Sequence, residues 1–263
     1  MIAALASGAL VGLSLGLIGG GGSVLAVPLL VYVVGVPAPH IAIGTSALAV
    51  AVNAAAGLAG HARAGTVKWP CALVFAASGL VGAAAGSTLG KAIDGDRLLA
   101  LFGVIMIVVG IAMLRRPEGR DDANVHLDSA SARRLLPRLL ITGFGVGLLS
   151  GFFGIGGGFL IVPGLIAATA MPMLNAVGSS LVAVTTFGLT TASNYALSGL
   201  VDWVLAAEFI AGGIAGGILG TWAAGRMGNG RTGAGKRALT RVFSAVVICV
   251  GLYVVARGAA AFV

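Results

Sequence analysis

Long blocks without any charged side chain are the feature that most constrains this chain of 263 residues. Asp, Glu, Lys and Arg are absent from residues 1–61, 69–90, 98–114 and 139–201. A helix needs about 17–25 apolar residues to cross the hydrocarbon core of a bilayer, so each block can hold at least one crossing. The blocks lack the alternating pattern of a transmembrane β-barrel, and backbone within lipid must otherwise be helical. The sequence therefore predicts an all-α polytopic membrane protein, multi-pass in the cell inner membrane.

The excess of basic residues does not indicate a nucleic-acid partner. The chain has sixteen Lys and Arg residues against eight Asp and Glu residues. The basic residues lie in short loops between apolar segments, which is where cytoplasmic loops of membrane proteins carry them. Cys71 and Cys249 lie inside apolar segments, where cysteine usually acts as a small hydrophobic residue. We therefore expect the lipid bilayer as a partner, and neither nucleic acid nor a bound metal.

One pattern of glycine and proline residues occurs twice. It consists of Gly-x-x-Gly-x-Gly-Gly followed by Val-Pro, and it begins at Gly16 and again at Gly151. Further matches follow in the same order, with two short slips in spacing. They include Gly44 with Gly178, Ser46 with Ser180, Trp69 with Trp203, Gly79 with Gly213, Gly82 with Gly216, and Gly86 with Gly220. Such ordered matches indicate a duplicated unit.

The repeat divides the chain into residues 1–116 and 137–263. The polar segment 117–136 between them is predicted to be a cytoplasmic linker. Each half contains four hydrophobic segments. They lie near 2–36, 40–60, 70–92 and 97–115 in the first half, and near 138–171, 174–198, 203–225 and 239–262 in the second.

The first hydrophobic segment of each half is too long for a single crossing. A continuous helix there would reach about 50 Å, whereas the hydrocarbon core measures about 30 Å. Glycine-rich runs at 19–22 and 154–158 interrupt these segments, and each glycine disfavours helix by about 1 kcal/mol relative to alanine. Each half is therefore predicted to contain a glycine-broken re-entrant helical hairpin plus about three transmembrane helices.

The basic loops indicate that the two halves have opposite orientations. If both hairpins return to the side on which they start, the loop at 63–68, the linker and the loop at 226–241 all face the cytoplasm, as the positive-inside rule requires. The halves are then two inverted structural repeats, an architecture that recurs in secondary transporters.

The doubled glycine block, the triplets Gly44-Thr45-Ser46 and Gly178-Ser179-Ser180, and the short basic linker resemble the sulfite exporter TauE/SafE family. The resemblance covers nearly the whole chain. Members are multi-pass proteins associated with export of sulfite or small organosulfonates. The resemblance therefore implies a secondary transporter that exports a small, sulfur-containing oxyanion, without fixing which one.

The membrane segments contain no Lys or Arg at depth, so a bound anion would need neutral donors and helix dipoles. The residues after each glycine run are predicted to begin a half-helix at Ser23 and at Gly158, and free N–H groups at a helix N-terminus bind oxyanions. Hydroxyl groups on the next helix could complete the site, although each could instead bond only to its own helix. The predicted substrate-binding residues are Gly20, Gly21, Gly22, Ser23, Thr45, Ser46, Gly156, Gly157, Gly158, Ser179 and Ser180.

Glu208 is flanked on both sides by long apolar sequence, which makes proton coupling a hypothesis for this carboxylate. It lies about 9 Å along a helix from Asp202, so it could instead reach the membrane interface. An intramembrane enzyme is disfavoured because no nucleophile–base pair or histidine cluster occurs at depth. We expect no enzymatic activity and no cofactor. A passive anion channel remains an alternative, and a homodimer is compatible with the sequence.

Overall fold

The computed structural model describes residues 1–18, 20–115, 129–154, 158–228 and 233–259. Every regular element within these ranges is helical, which confirms the all-α prediction for them. The helices are α1 (Ile2–Ile18), α2 (20–34), α3 (Pro39–Arg63), α4 (Trp69–Lys91), α5 (Gly95–Arg115), α6 (Ser129–Phe153), α7 (Gly158–Thr169), α8 (Met173–Ala196), α9 (Trp203–Gly228) and α10 (Gly233–Ala259). α2 is composite, with a 3₁₀ turn over Gly20–Leu25, an α-helical turn over Ala26–Pro28 and π-helical turns over Leu29–Val34.

Six of the described helices are long and apolar enough to cross a bilayer, namely α3, α4, α5, α6, α8 and α9. The described apolar parts of α1, α2, α7 and α10 are shorter, at 10–17 residues. For α10, which was predicted as a crossing, this part covers Ser244–Arg257. By helix length and composition, the chain is a multi-pass membrane protein.

The helical order of the first segment changes at the glycine run in each half. α1 ends at Ile18 and a 3₁₀ turn begins at Gly20, whereas α6 ends at Phe153 and α7 begins at Gly158. Gly154 has a φ of +66°, a left-handed conformation that favours glycine. A side chain at Gly154 would also collide with the side chain of Ile43 on α3. The break therefore requires glycine both for its backbone conformation and for its contact with α3.

α6 begins at Ser129, inside the segment 117–136 that was predicted to be a linker. Its first turns carry the exposed residues Arg133 and Arg134. Charged side chains can extend a helix beyond its apolar stretch, because they reach water or lipid headgroups there. The part of the predicted linker up to residue 128 lies outside the described residues.

Contacts at the helix termini define two ends of the bundle. We call the end where α4 begins the near end, and the end where α4 finishes the far end. At the far end, Nε2 of His40 in the first turn of α3 lies 3.1 Å from the carbonyl oxygen of Ile93. At the near end, Nδ2 of Asn175 in the first turn of α8 donates to the carbonyl oxygen of Thr66 at 2.9 Å. α3 and α8 therefore run antiparallel.

α1 packs in parallel against α9 through closely spaced glycines. Side chains on Gly8 and Gly12 would collide with the carbonyl oxygens of Phe209 and Gly213, and a side chain on Gly216 would collide with a carbonyl oxygen of α1. Small residues spaced four apart allow two membrane helices to bring their backbones into direct contact. We call this contact, and its counterpart between α4 and α6, the glycine seams.

The α4–α6 seam has the same construction and the same parallel direction. A side chain on Gly82 would collide with the carbonyl oxygen of Phe144, and one on Gly147 would collide with the carbonyl oxygen of Gly79. Close helix packing therefore accounts for the spaced glycines on α4 and α9. These glycines are Gly82 and Gly86 on α4, and Gly216 and Gly220 on α9.

The two seams correspond to each other under the sequence repeat. α1 and α6 come from the first hydrophobic segments of the two halves, whereas α4 and α9 are the third segments. Each first helix thus packs against the third segment of the other half. α3 and α8 pack against each other. They are the most buried of the six long helices, since 61% and 56% of the residues in their apolar stretches lie inside the protein. The halves consequently form one interlocked unit.

Gly147→Val is expected to lower the melting temperature of the detergent-solubilised protein by several degrees. The new side chain meets backbone atoms of Gly79, and overpacking typically costs about 1–3 kcal/mol. Gly145→Val on the same helix is the matched control, since a side chain there meets no atom within 4 Å. Equal melting temperatures for the two variants would contradict the seam.

Candidate substrate-binding site

The half-helices after the two glycine runs begin at different points. α7 begins at the buried residue Gly158, as predicted. α2 begins at Gly20 rather than at Ser23, because the glycines already form a 3₁₀ turn, an element that is frequent at helix termini. Gly20, Gly21 and Gly22 lie in this turn, and Ser23 is fully buried within it. Gly156 and Gly157 lie outside the described residues.

Thr45 anchors the loop that precedes α9. The backbone N–H of Asp202 donates to Oγ1 of Thr45 at 3.0 Å, and Thr45 is fully buried. A side chain on the neighbouring Gly44 would collide with the carbonyl oxygen of Leu200. The Gly-Thr pair on α3 therefore lets a loop of the second half approach and holds it at the far end.

Ser179 makes the same kind of contact at the near end. The backbone N–H of Lys68 donates to Oγ of Ser179 at 2.9 Å, and Ser179 is fully buried. A Cβ atom on the neighbouring Gly178 would lie 2.7 Å from Oγ1 of Thr66. Here the Gly-Ser pair on α8 holds the loop of the first half that precedes α4.

The two contacts are equivalent under the repeat, which matches Thr45 with Ser179 and Asp202 with Lys68. Each hydroxyl accepts a hydrogen bond, and neither O–H has an acceptor among the residues that the structure describes. A hydroxyl group can accept and donate at the same time. Both groups therefore retain a donor that a ligand could use.

The adjacent hydroxyls, Ser46 and Ser180, bond within their own helices. Ser46 donates to the carbonyl oxygen of Ile43 at 2.9 Å, and Ser180 donates to that of Val177 at 2.8 Å. This is the alternative that the sequence left open for such residues. Among the four predicted hydroxyls on α3 and α8, the structure thus separates one donor-retaining residue in each half from one that is internally bonded.

The predicted residues do not meet at one point. Thr45 lies in the second turn of α3, at the far end of the bundle. Ser179 lies in the second turn of α8, at the near end. Gly154, in the break of the second half, contacts Ile43 beside Thr45. The 3₁₀ turn of α2 contacts α7 and α8. The candidate site therefore consists of two groups at different depths, and the far-end group combines α3 with the break of the other half.

Glu208 lies near the far end of the bundle. Its Oε2 atom is 3.3 Å from the amino nitrogen of Met1, and its side chain is 22% exposed. α1 and α9 run in parallel from this end, so the carboxylate lies at the level of the first turn of α1. The coupling hypothesis thus concerns a carboxylate close to one end rather than one at the centre.

Sequence reasoning missed a polar network around Lys91. Its ammonium group donates to the carbonyl oxygen of Asn194 at 3.0 Å, to Oδ1 of Asn194 at 2.7 Å and to Oγ of Ser198 at 2.8 Å. Nδ2 of Asn194 donates to Oγ of Ser87 at 2.6 Å and to Oγ1 of Thr88 at 2.9 Å. The network joins the end of α4 to the end of α8 at the far end.

The Lys91 network breaks the symmetry of the repeat. Glycine occupies the positions that correspond to its two central residues, with Gly225 matching Lys91 and Gly60 matching Asn194. Glycine has no side chain with which to form such bonds. In the sequence, the network is visible only as two repeat positions where a polar residue in one half is matched by glycine in the other. This difference does not predict that Lys91 and Asn194 contact each other.

A surface pocket of about 200 Å³ lies at the far end, apart from the predicted residues. Arg257 in this pocket donates from Nε to Oη of Tyr253 at 3.3 Å. The ring of Tyr253 meets the ring of Tyr32 edge-on, with centroids 5.1 Å apart. The lining residues are Val31, Tyr32, Asp96, Leu99 and Arg257.

Comparisons with known proteins cover nearly the whole chain. A family model described as Sulfite exporter TauE/SafE matches residues 4–254. A probable membrane transporter protein of Xylella fastidiosa (strain 9a5c) is 54% identical over 263 residues, which is 100% of this chain and 98% of that protein. Probable membrane transporter protein YunE of Bacillus subtilis (strain 168) is 28% identical, covering 78% of this chain and 81% of that protein. No solved structure matches.

Proposed function

This chain belongs to the sulfite exporter TauE/SafE family of membrane transporters, and on that premise we propose that it exports a small, sulfur-containing oxyanion such as sulfite or an organosulfonate. The observation that carries the proposal within the structure is the pair of buried hydroxyls, Thr45 and Ser179, which retain O–H donors on equivalent helices. Neutral donors of this kind bind an anion without the strong attraction of a buried cation, so release remains possible. The proposed location is the bacterial inner membrane.

The proposal includes two inverted repeats. In the first half, α1 starts beside Glu208 at the far end, and the α2–α3 connection returns to the far end at His40. In the second half, α6 runs parallel to α4 from the near end, and the α7–α8 connection returns to the near end at Asn175. Each broken segment would then be a re-entrant hairpin that returns to its starting side, and the two hairpins would enter from opposite sides.

Charge placement supports a cytoplasmic near end. Basic residues at this end occur on the α3–α4 loop and on the first turns of α6, and they include Arg63, Lys68, Arg133, Arg134 and Arg138. The far end carries Asp94, Asp96 and Asp202 together with its basic residues Lys91, Arg97 and Arg257. Cytoplasmic loops are enriched in Lys and Arg, so the near end would face the cytoplasm.

The anion would contact two equivalent groups in turn. Near the cytoplasm, Ser179 would act with the glycine turn Gly20–Gly22 and Ser23. Near the outside, Thr45 would act with Gly156, Gly157 and Gly158, where the N-terminus of α7 adds a positive dipole end. Ser46 and Ser180 would support these groups only through their own helices. Related sites at two depths suit a transporter whose halves exchange roles between an inward-open and an outward-open state.

The test of the function is anion flux into and out of proteoliposomes. Sulfite, sulfate, sulfoacetate, thiosulfate and simple carboxylates would each be measured with and without a pH gradient. We expect saturable flux of at least one sulfur oxyanion. Absence of flux for every anion would defeat the proposal, and flux that rises linearly without saturation would favour a passive channel.

Thr45→Val is expected to raise the half-saturating anion concentration about tenfold, because it removes an O–H donor at nearly constant side-chain shape. It also removes the acceptor of the Asp202 N–H, so its melting temperature is measured alongside. Thr45→Ser keeps the donor and should restore transport. Thr190→Val is the matched control, since the Thr190 hydroxyl donates only to the carbonyl oxygen of Thr186 on its own helix. If Thr45→Val transports like the control, this hydroxyl does not contact the anion.

Glu208→Gln is expected to remove the dependence of flux on the pH gradient while leaving flux driven by the anion gradient, if this carboxylate carries the coupled proton. The measurement is initial flux at matched anion gradients with and without a pH difference. An unchanged response to the pH gradient would exclude Glu208 as the coupling group.

A further inference from the structure

Asn53 is a buried amide with no hydrogen-bond partner. The residue is 8% exposed, and neither Oδ1 nor Nδ2 has a partner among the described residues. Asn53 lies on α3, one of the helices able to cross the bilayer. An amide without partners inside a membrane is strongly unfavourable, because lipid supplies neither donors nor acceptors. A bound ligand or water is the remaining source of partners.

Packing does not require an amide at this position. The side chain of Asn53 rests on Gly213 of α9, where any side chain would collide with Nδ2. The repeat places Phe187 at the equivalent position, and its ring rests in the same way on Gly79 of α4. That ring also stacks on Phe75, with centroids 6.2 Å apart. The fold therefore fills the equivalent space in the second half with a fully apolar side chain.

Asn53 lies at the depth where substrate sites of inverted-repeat transporters occur. It stands near the midpoint of α3, which spans Pro39–Arg63. It follows Thr45 by about two turns, or about 12 Å along the helix, toward the near end. A residue at this depth lies between the far-end group at Thr45 and the near-end group at Ser179, close to the midplane where transported ligands are held.

We propose that Asn53 is a central contact for the transported oxyanion, an inference that rests on the proposed transport function. Nδ2 would donate to an oxygen of the anion, and Oδ1 could accept from a substrate hydroxyl where the anion carries a proton. Three neutral groups, Ser179, Asn53 and Thr45, would then offer donors at the near end, at the centre and at the far end. The anion would pass along α3 and α8 without meeting a buried cation.

The decisive variant is Asn53→Leu, which keeps the number and branching of the side-chain heavy atoms and removes both polar atoms. Replacing an unpaired polar group by an apolar group of similar shape removes a desolvation penalty, so we expect a higher melting temperature. We also expect a ten- to hundredfold rise in the half-saturating concentration of the transported anion, as for a lost hydrogen bond to a charged group. Sulfite should raise the melting temperature of the wild-type protein but not that of the variant.

Two further variants make the outcome decisive. Ser244→Ala is the matched control, because Ser244 also has a fully buried hydroxyl without a partner among the described residues but lies on α10. It should transport within about twofold of wild type. Asn53→Asp keeps the side-chain shape and loses the N–H donor, so it should lose transport as Asn53→Leu does. Wild-type flux in either Asn53 variant, or failure of Asn53→Leu to fold, would overturn the inference.

Failure of the inference can be distinguished from failure of the proposed function. If wild-type protein transports sulfite and both Asn53 variants do so equally well, transport stands and the role of Asn53 falls. If the wild type transports no anion, transport falls. In that case the melting temperature with and without sulfite still tests Asn53. If sulfite raises the melting temperature of the wild type but not of Asn53→Leu, Asn53 contacts the anion. If sulfite raises both equally, the proposed contact is refuted.

Discussion

Direct contact between glycines and backbone carbonyl groups is the constraint on which this fold depends. In the α1–α9 and α4–α6 seams, side chains larger than hydrogen would collide with the opposite backbone at positions such as Gly12 and Gly82. Association of membrane helices gains little from apolar burial, because lipid is as apolar as the protein, so close backbone packing has to supply the affinity. The seams join the first helix of each half to a helix of the other half. This crossed packing also places each glycine-rich run against helices of the other half.

The triplets Gly44-Thr45-Ser46 and Gly178-Ser179-Ser180 show how one short motif serves structure and offers chemistry together. The glycine admits a loop of the other half, and the next residue accepts a backbone N–H from that loop. Because a hydroxyl can donate while it accepts, the same group remains available to a ligand. The Lys91 network is added at the far end only, so this end is held by more side-chain bonds than the equivalent positions of the near end can form.

The sequence was sufficient for features determined by local composition. The charge-free blocks predicted helical crossings, and the glycine run at 154–158 coincides with the end of α6 and the start of α7. Contacts between distant segments could not be predicted in the same way. Nothing in the sequence around Thr45 indicates that Asp202 donates to it, and nothing around Lys91 identifies Asn194 as its partner, because those pairs form only when the two halves pack. The start of α2 at Gly20 was missed because α-helix propensity, which assigns Gly20–Gly22 to a break, does not account for 3₁₀ turns at helix termini.

The packing of α1 against a helix of the second half has a consequence for biosynthesis. α1 leaves the ribosome before α2 to α8, yet its seam partner α9 begins only at Trp203. The face formed by Gly8, Gly12 and Gly16 must therefore contact lipid or another helix while α2 to α8 are made. The α4–α6 seam can close much earlier, since its two helices are separated only by α5 and the segment that follows it. Assembly in the membrane would thus begin with α4 and α6, and α1 would be secured only once α9 has been made.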